Sequence, residues 1–213
     1  MNATLLLCSA VEDELAALLP SLTRAGGCWQ GRLGRLPVLA RAVGVGPVEA
    51  ALGSARALEA GPAAAIFVGT CGAFPGTGIA IGAPVVIERA VLTAADAAAG
   101  LSYIPAPAQR VAAADPALCA ALGGRRAGAA TVVAITRDAT RAAQLRDATS
   151  CETEHLEAYA FLRAAELAGV PAACVLGVAN EVGPDAHAQW RANGAAAAAA
   201  AMELVAAWAA RAS

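Results

Sequence analysis

Ala64-Ala-Ile-Phe-Val-Gly69 runs straight into Gly69-Thr-Cys-Gly72, and this stretch decides the fold. A short apolar run stopped by a glycine-rich turn reads as a strand buried on both faces. The pattern recurs along the chain. Thr4 to Ser9, Arg35 to Val43, Pro84 to Leu92, Ala129 to Ile135 and Pro171 to Ala179 read as strands. Helical stretches separate them: Glu12 to Leu19, Pro47 to Glu59, Thr140 to Asp147, Glu154 to Ala168 and a long closing helix from His187. Pro47 stands early in its helix, where the missing N–H costs nothing, and Gly169 ends the fourth. Strands alternating with helices predict an α/β protein with helices on both faces of a buried sheet. In such sheets ligands lie at the C-terminal ends of the strands.

Composition narrows the function. Aromatics are only 4% of 213 residues, so the core must be Leu, Val and Ile packed against many Ala. All 15 basic residues are arginine, and the absence of lysine excludes Schiff-base chemistry. With a net charge of −2 and no basic block, nothing attracts a nucleic acid. Cysteines 8, 28, 71, 119, 151 and 174 form no CxxC pair and do not cluster with His155 or His187. Neither a metal site nor a disulfide framework is therefore expected, but free thiols in a reducing cytoplasm. Thr4-Leu-Leu-Leu-Cys8 is followed too soon by Glu12-Asp-Glu14 to be a leader, and Glu203 interrupts the alanine run that begins at Ala195. A cytoplasmic protein with no membrane partner is the expectation.

Four polar segments follow strands or open helices: Ala10-Val-Glu-Asp-Glu14, Gly69-Thr-Cys-Gly72, Glu154-His-Leu-Glu157 and Ala179-Asn-Glu-Val-Gly-Pro184. Each alone has an ordinary explanation. Glu14 suits a helix's first turn, and Gly69 to Gly72 a tight connection. Glu154 and Glu157 suit a solvated face, and Asn180 a turn. Together they bring carboxylates, an amide and exposed main chain to one edge of the sheet. That set suits a sugar with vicinal hydroxyls joined to a heterocycle with nitrogen and oxygen acceptors.

The same segments resemble the purine nucleoside phosphorylase and nucleosidase superfamily. Ala10-Val-Glu-Asp-Glu14 is similar to the A-M-E-E-E of methylthioadenosine/S-adenosylhomocysteine nucleosidases, and Val43-Gly-Val-Gly-Pro-Val-Glu-Ala-Ala51 to their S-G-I-G-K-V-x-A-A. Val68-Gly-Thr-Cys-Gly-Ala73 resembles the superfamily's central glycine turn. Glu154-His-Leu-Glu-Ala-Tyr-Ala160 and Val178-Ala-Asn-Glu-Val-Gly-Pro184, with Ala188-Gln-Trp-Arg191, resemble the E-x-M-E-G-x-A and V-S-N-x-V-G-P…A-x-W-R of futalosine hydrolases.

The resemblance implies one nucleoside phosphorylase/nucleosidase-like domain over residues 1–213. Its fold would be a three-layer α/β/α sandwich with a central mixed, mostly parallel sheet. The implied activity is hydrolysis of a 6-oxopurine nucleoside, futalosine to hypoxanthine and dehypoxanthine futalosine, within menaquinone biosynthesis. No cofactor and no metal are implied, and a homo-oligomer (dimer or larger) is. Carried over by position, Glu14 is the catalytic base and Asn180 the catalytic amide at the purine. Glu157 binds the ribose hydroxyls, and Leu156, Thr70, Cys71 and Gly72 line the substrate. An amide at position 180 suits a 6-oxopurine, where adenine-cleaving relatives have aspartate. Phe67 stands where related phosphorylases carry a phosphate-gripping arginine, which favours water over phosphate.

The chain departs from the pattern at Leu176, where nucleosidases carry an arginine, and at Leu156 and Ala179, where Met and Ser are usual. Leu176 keeps a non-catalytic nucleoside-binding protein open. A phosphorylase and a methylthioadenosine-type nucleosidase also stay open, against Phe67 and Asn180 respectively. His155 and His187 are expected at the surface, and Trp190 and Trp208 as packing for the last helix.

Overall fold

The computed structural model describes residues 4–211. Strand β1 (Leu5–Ser9) lies between β4 (Leu36–Ala42) and β5 (Ala64–Ala73), parallel to both. Strand β10 (Ala172–Glu181) adds in parallel to β5. Ile66, Phe67 and Val68 are fully buried, as are Cys174, Val175 and Leu176, so neither strand alternates. Both faces of this central run are covered, as continuous apolar strands require.

The sheet then curls. β10 pairs antiparallel with β6 (Pro84–Leu92), and β6 pairs in parallel with β8 (Arg125–Thr131). β8 pairs with the two-residue β9 (Thr153–Glu154), which returns antiparallel to β5. The pairings close a ring at β5. β7 (Val111–Ala113) extends from β6, and a hairpin of β2 (Leu22–Ala25) and β3 (Cys28–Leu33) continues beyond β4. The closure sets Glu154 on β9 and Asn180 on β10 opposite the same residue, Gly72.

Helices cover both faces, giving the expected three layers. α1 (Gly46–Leu58) packs on α5 (Ala158–Ala168), whose Phe161 ring meets Phe67 at 5.5 Å. Phe67 is the register partner of Cys174, so Gly177, three residues on, turns to the opposite face. There α6 (Ala186–Arg211) lies against β10. Its inward stripe is Ala197, Ala201, Val205 and Ala209, and these small residues let the helix backbone come close. A Cβ on Gly177 would stand 1.9 Å from the Ala197 carbonyl oxygen. Gly177→Ala is therefore expected to destabilise the fold by roughly 3 kcal/mol, because backbone must move rather than a side chain. Thermal unfolding should show a fall in Tm on the order of 10 °C; an unchanged Tm would contradict this packing.

Several boundaries differ from the sequence expectation. Glu12 to Leu19 is not an α-helix but a 3-10 turn over Glu12–Leu15, with a second over Leu19–Ser21. Its two deeply buried residues, Leu15 and Leu18, are three apart, so a three-residue period puts both on the core. The strand expected over 129–135 occupies Arg125–Thr131, because parallel pairing with β6 begins at Val85 and Arg125. Short elements the sequence did not suggest include α2 (Ala95–Ala98) and α3 (Pro116–Leu122). The helix expected from Thr140 is α4 (Ala139–Thr149), capped by the Asp138 carboxylate, which accepts from the Arg141 N–H at 2.9 Å. All six cysteines are free thiols. No helix among the described residues is long and apolar enough to cross a membrane.

Candidate active site

The C-terminal ends of β1, β5 and β10 surround a cleft of about 360 Å³, within the usual range for a small-molecule site. All seven residues singled out from the sequence line it: Glu14, Thr70, Cys71, Gly72, Leu156, Glu157 and Asn180. Glu14 comes from the 3-10 turn after β1, and its carboxylate is held at both oxygens. Oε1 accepts the Thr70 N–H at 3.0 Å and the Thr70 hydroxyl at 3.1 Å, and Oε2 accepts the Ala10 N–H at 3.1 Å. Glycine at position 69 lets the carboxylate come close to the strand, since a Cβ there would lie 3.0 Å from Glu14 Oε1 and push it back. Burial pushes the Glu14 carboxyl above its ordinary range, and the hydrogen bonds from Thr70 pull it back.

Glu157 closes the cleft from the start of α5. Its Oε1 accepts the Gly46 N–H at 2.7 Å. Gly46 has φ +84, a conformation cheap only for glycine, and its N–H is a free donor at the N-terminus of α1. The other oxygen lies 3.2 Å from His155 Nε2. His155 Nδ1 accepts the main-chain N–H of Ala158 at 2.9 Å and that of Glu157 at 3.3 Å. With Nδ1 an acceptor, the imidazole proton sits on Nε2 and is donated to Glu157. Burial lowers the His155 pKa to about 4, so the ring is neutral, and burial raises Glu157 to about 7. His155 is thus no surface residue: it is buried, with its ring 5.2 Å from Phe67 in an edge-on contact. Its capping bonds also explain why α5 starts at Ala158 rather than at Glu154.

Asn180 follows a bulge in β10, buried, with one Nδ2 proton donated to the Glu181 carbonyl at 3.0 Å. That leaves one N–H and Oδ1 for other partners. Gly72 makes room for it, since a Cβ at that position would stand 2.8 Å from Nδ2. Cys71 is buried and its thiol is pushed up by desolvation, which leaves it protonated and inert.

Two further lining side chains were misread from the sequence. Trp190 is not core packing. It is 46% exposed, lines the cleft, stacks on His187 with centroids 6.2 Å apart, and donates from Nε1 to Thr70 Oγ1 at 3.2 Å. Trp208 does pack against the core, and His187 is at the surface as expected. Glu154 is not on a solvated face but buried at the cleft, with Oε1 accepting the Thr136 N–H at 3.0 Å.

A fold with a curled mixed sheet and this cleft can be compared with known proteins. The family model described as the phosphorylase superfamily matches residues 10–210. The chain belongs to that superfamily. A comparison with curated proteins gives no match. Among solved structures, the chain resembles the S-adenosylhomocysteine nucleosidase of Streptococcus pyogenes at 23% identity and TM-score 0.85, over 99% of this chain and 97% of that one. It resembles the methylthioadenosine/S-adenosylhomocysteine nucleosidase of Neisseria meningitidis at 18% identity and TM-score 0.84, over 98% and 99%. A futalosine hydrolase mutant of Helicobacter pylori aligns at 15% identity and TM-score 0.84, over 96% and 97%. These likenesses establish the shared superfamily fold over nearly the whole of each chain.

Leu176 lies fully buried as the register partner of Gly69, whose Cβ position faces the Glu14 carboxylate. Neutral groups, Thr70 and Ala10, hold that carboxylate.

Proposed function

We propose that the protein hydrolyses the N-glycosidic bond of a 6-oxopurine nucleoside, with futalosine as the candidate substrate. The observation that carries this is the pair of restrained carboxylates, Glu14 and Glu157, in one cleft with the amide of Asn180. Glu157, fixed by Gly46 and His155, keeps lone pairs for two sugar hydroxyls. Its charge favours the positive charge that builds on the ribose as the C1′–N9 bond lengthens. Glu14 orients a water and takes its proton as the oxygen bonds to C1′. The electron pair of the broken bond goes to the base. Asn180 donates its free N–H to N7 or O6, where negative charge collects, and the base then takes a proton from solvent.

Water rather than phosphate suits this cleft. Phe67, where related phosphorylases carry arginine, is buried against His155 and Phe161. Three carboxylates, Glu14, Glu154 and Glu157, and among the described residues no arginine line the cleft, which makes a poor phosphate site. The test is chromatography of free base after incubation with futalosine, inosine and methylthioadenosine, each with and without phosphate. Hypoxanthine is expected from futalosine at a rate phosphate does not change. Ribose 1-phosphate products would make the protein a phosphorylase, and faster release of adenine would overturn the 6-oxopurine preference. The protein would act in the cytoplasm as a homo-oligomer, read as one domain over its whole length.

A further inference from the structure

Glu154 carries an oxygen that the hydrolytic mechanism does not use. The residue is 6% exposed and lines the cleft, and its Oε2 is buried without a hydrogen-bond partner among the described residues. A buried carboxylate oxygen left unpaired is costly, so it marks a place where a donor belongs. Its position says what kind of donor. Gly72 is the register partner of Glu154 on one side and of Asn180 on the other. Register partners project from the same face of a sheet. Two strand steps set the backbones of Glu154 and Asn180 about 10 Å apart. Gly72, with no side chain, lets the Asn180 amide and Val182 come in over it, since a Cβ there would stand 2.8 Å from each, and a flat ring in the cleft would lie beside that amide. Asn180 would meet one edge of that ring and Glu154 the next.

We propose that Glu154 reads the base, its free Oε2 accepting the N1–H of a 6-oxopurine. The inference rests on the nucleosidase reading of the cleft and names the group that selects within it. A 6-oxopurine presents N–H at N1, whereas a 6-aminopurine presents a lone pair there. An ionised carboxylate accepts only, so it attracts the first and repels the second. The Thr136 main-chain N–H, a donor that could otherwise serve such a lone pair, is already given to Glu154 Oε1. A site that leaves a buried polar group unpaired rejects the wrong ligand sharply.

The experiment compares wild type and Glu154→Gln on inosine, adenosine, purine riboside and 1-methylinosine, with calorimetric binding of hypoxanthine, 1-methylhypoxanthine and adenine. Gln keeps an oxygen for the Thr136 N–H and puts an N–H₂ where Oε2 was. The inosine-to-adenosine ratio of kcat/KM should fall on the order of 100-fold or more in the variant, with purine riboside following adenosine. Wild type should bind hypoxanthine at least about 100-fold more tightly than 1-methylhypoxanthine or adenine. An unchanged ratio in a variant of normal Tm would overturn the role of Glu154 while leaving the 6-oxopurine reading intact. Preference of wild type for adenosine and adenine would overturn both. If the variant does not fold, or no simple nucleoside is cleaved, the wild-type binding series decides: 1-methylhypoxanthine bound as well as hypoxanthine overturns the proposal.

Discussion

Glu14→Gln is expected to slow base release about 10³-fold while substrate affinity changes only a few-fold. Glutamine matches the volume of glutamate, so the cleft keeps its shape, but an amide takes no proton from water at neutral pH. Loss of a positioned general base costs about 10² to 10⁴ in rate. The cost falls on kcat because the group acts on water, not on the nucleoside. The geometry adds a second effect. The Glu14 carboxylate accepts three donors, from Ala10 N–H, Thr70 N–H and the Thr70 hydroxyl, on two oxygens. Glutamine has one acceptor oxygen, so at least one donor loses its partner and the side chain loses its fixed position. Single-turnover rates with enzyme in excess, set beside calorimetric affinity for the substrate, separate these terms. A kcat within about tenfold of wild type would remove Glu14 from the chemistry.

Much of the site was legible because strand ends are legible. The apolar run from Ala64 and its glycine turn correspond to β5, and Thr70, Cys71 and Gly72 fall in the cleft at its end. Glu14 was placed there although its surroundings were misread as a helix. What mattered was its distance from β1, which a 3-10 turn and a helical turn nearly share. Glu154 was lost for a different reason. Its spacing from Glu157 is that of a helix face, and only the ring closure through β9 shows that the chain there is extended. That pairing joins residues far apart in sequence, and a two-residue strand has no period to read. His155 was lost because a lone histidine carries no local mark of burial. Its partners, Phe67 and Glu157, are set by tertiary packing. The β2–β3 hairpin did leave a signal, Gly26-Gly27, whose φ values of +58 and +79 suit a tight hairpin turn. Its strands were too polar and too exposed to show a buried face.

Glu157 offers the second large effect, and pH makes it specific. Glu157→Gln removes a charged acceptor from two sugar hydroxyls, each such bond worth about 1.5–3 kcal/mol, so kcat/KM should fall roughly 10² to 10⁴-fold. A 2′-deoxynucleoside tests the contact itself. Wild type should discriminate between ribose and deoxyribose, and the variant should lose most of that discrimination. An undiminished ratio would mean that Glu157 holds something else. The pH profile follows from the two carboxyls. Both must be ionised, and Glu157, raised to about 7 by burial, loses its proton near neutrality. In wild type kcat/KM should therefore rise with pH through about 7 and then level, since it reports groups of the free enzyme. His155 stays neutral across this range because burial holds its pKa at about 4, so it contributes no step of its own there. In Glu157→Gln the step near 7 disappears. The remaining acid limb then belongs to Glu14 and Glu154, both raised by burial, and the Glu14 part moves to lower pH, since the neighbouring Glu157 charge had helped to raise it. A limb that stays near 7 in the variant would assign that titration to another group and detach it from the ribose site.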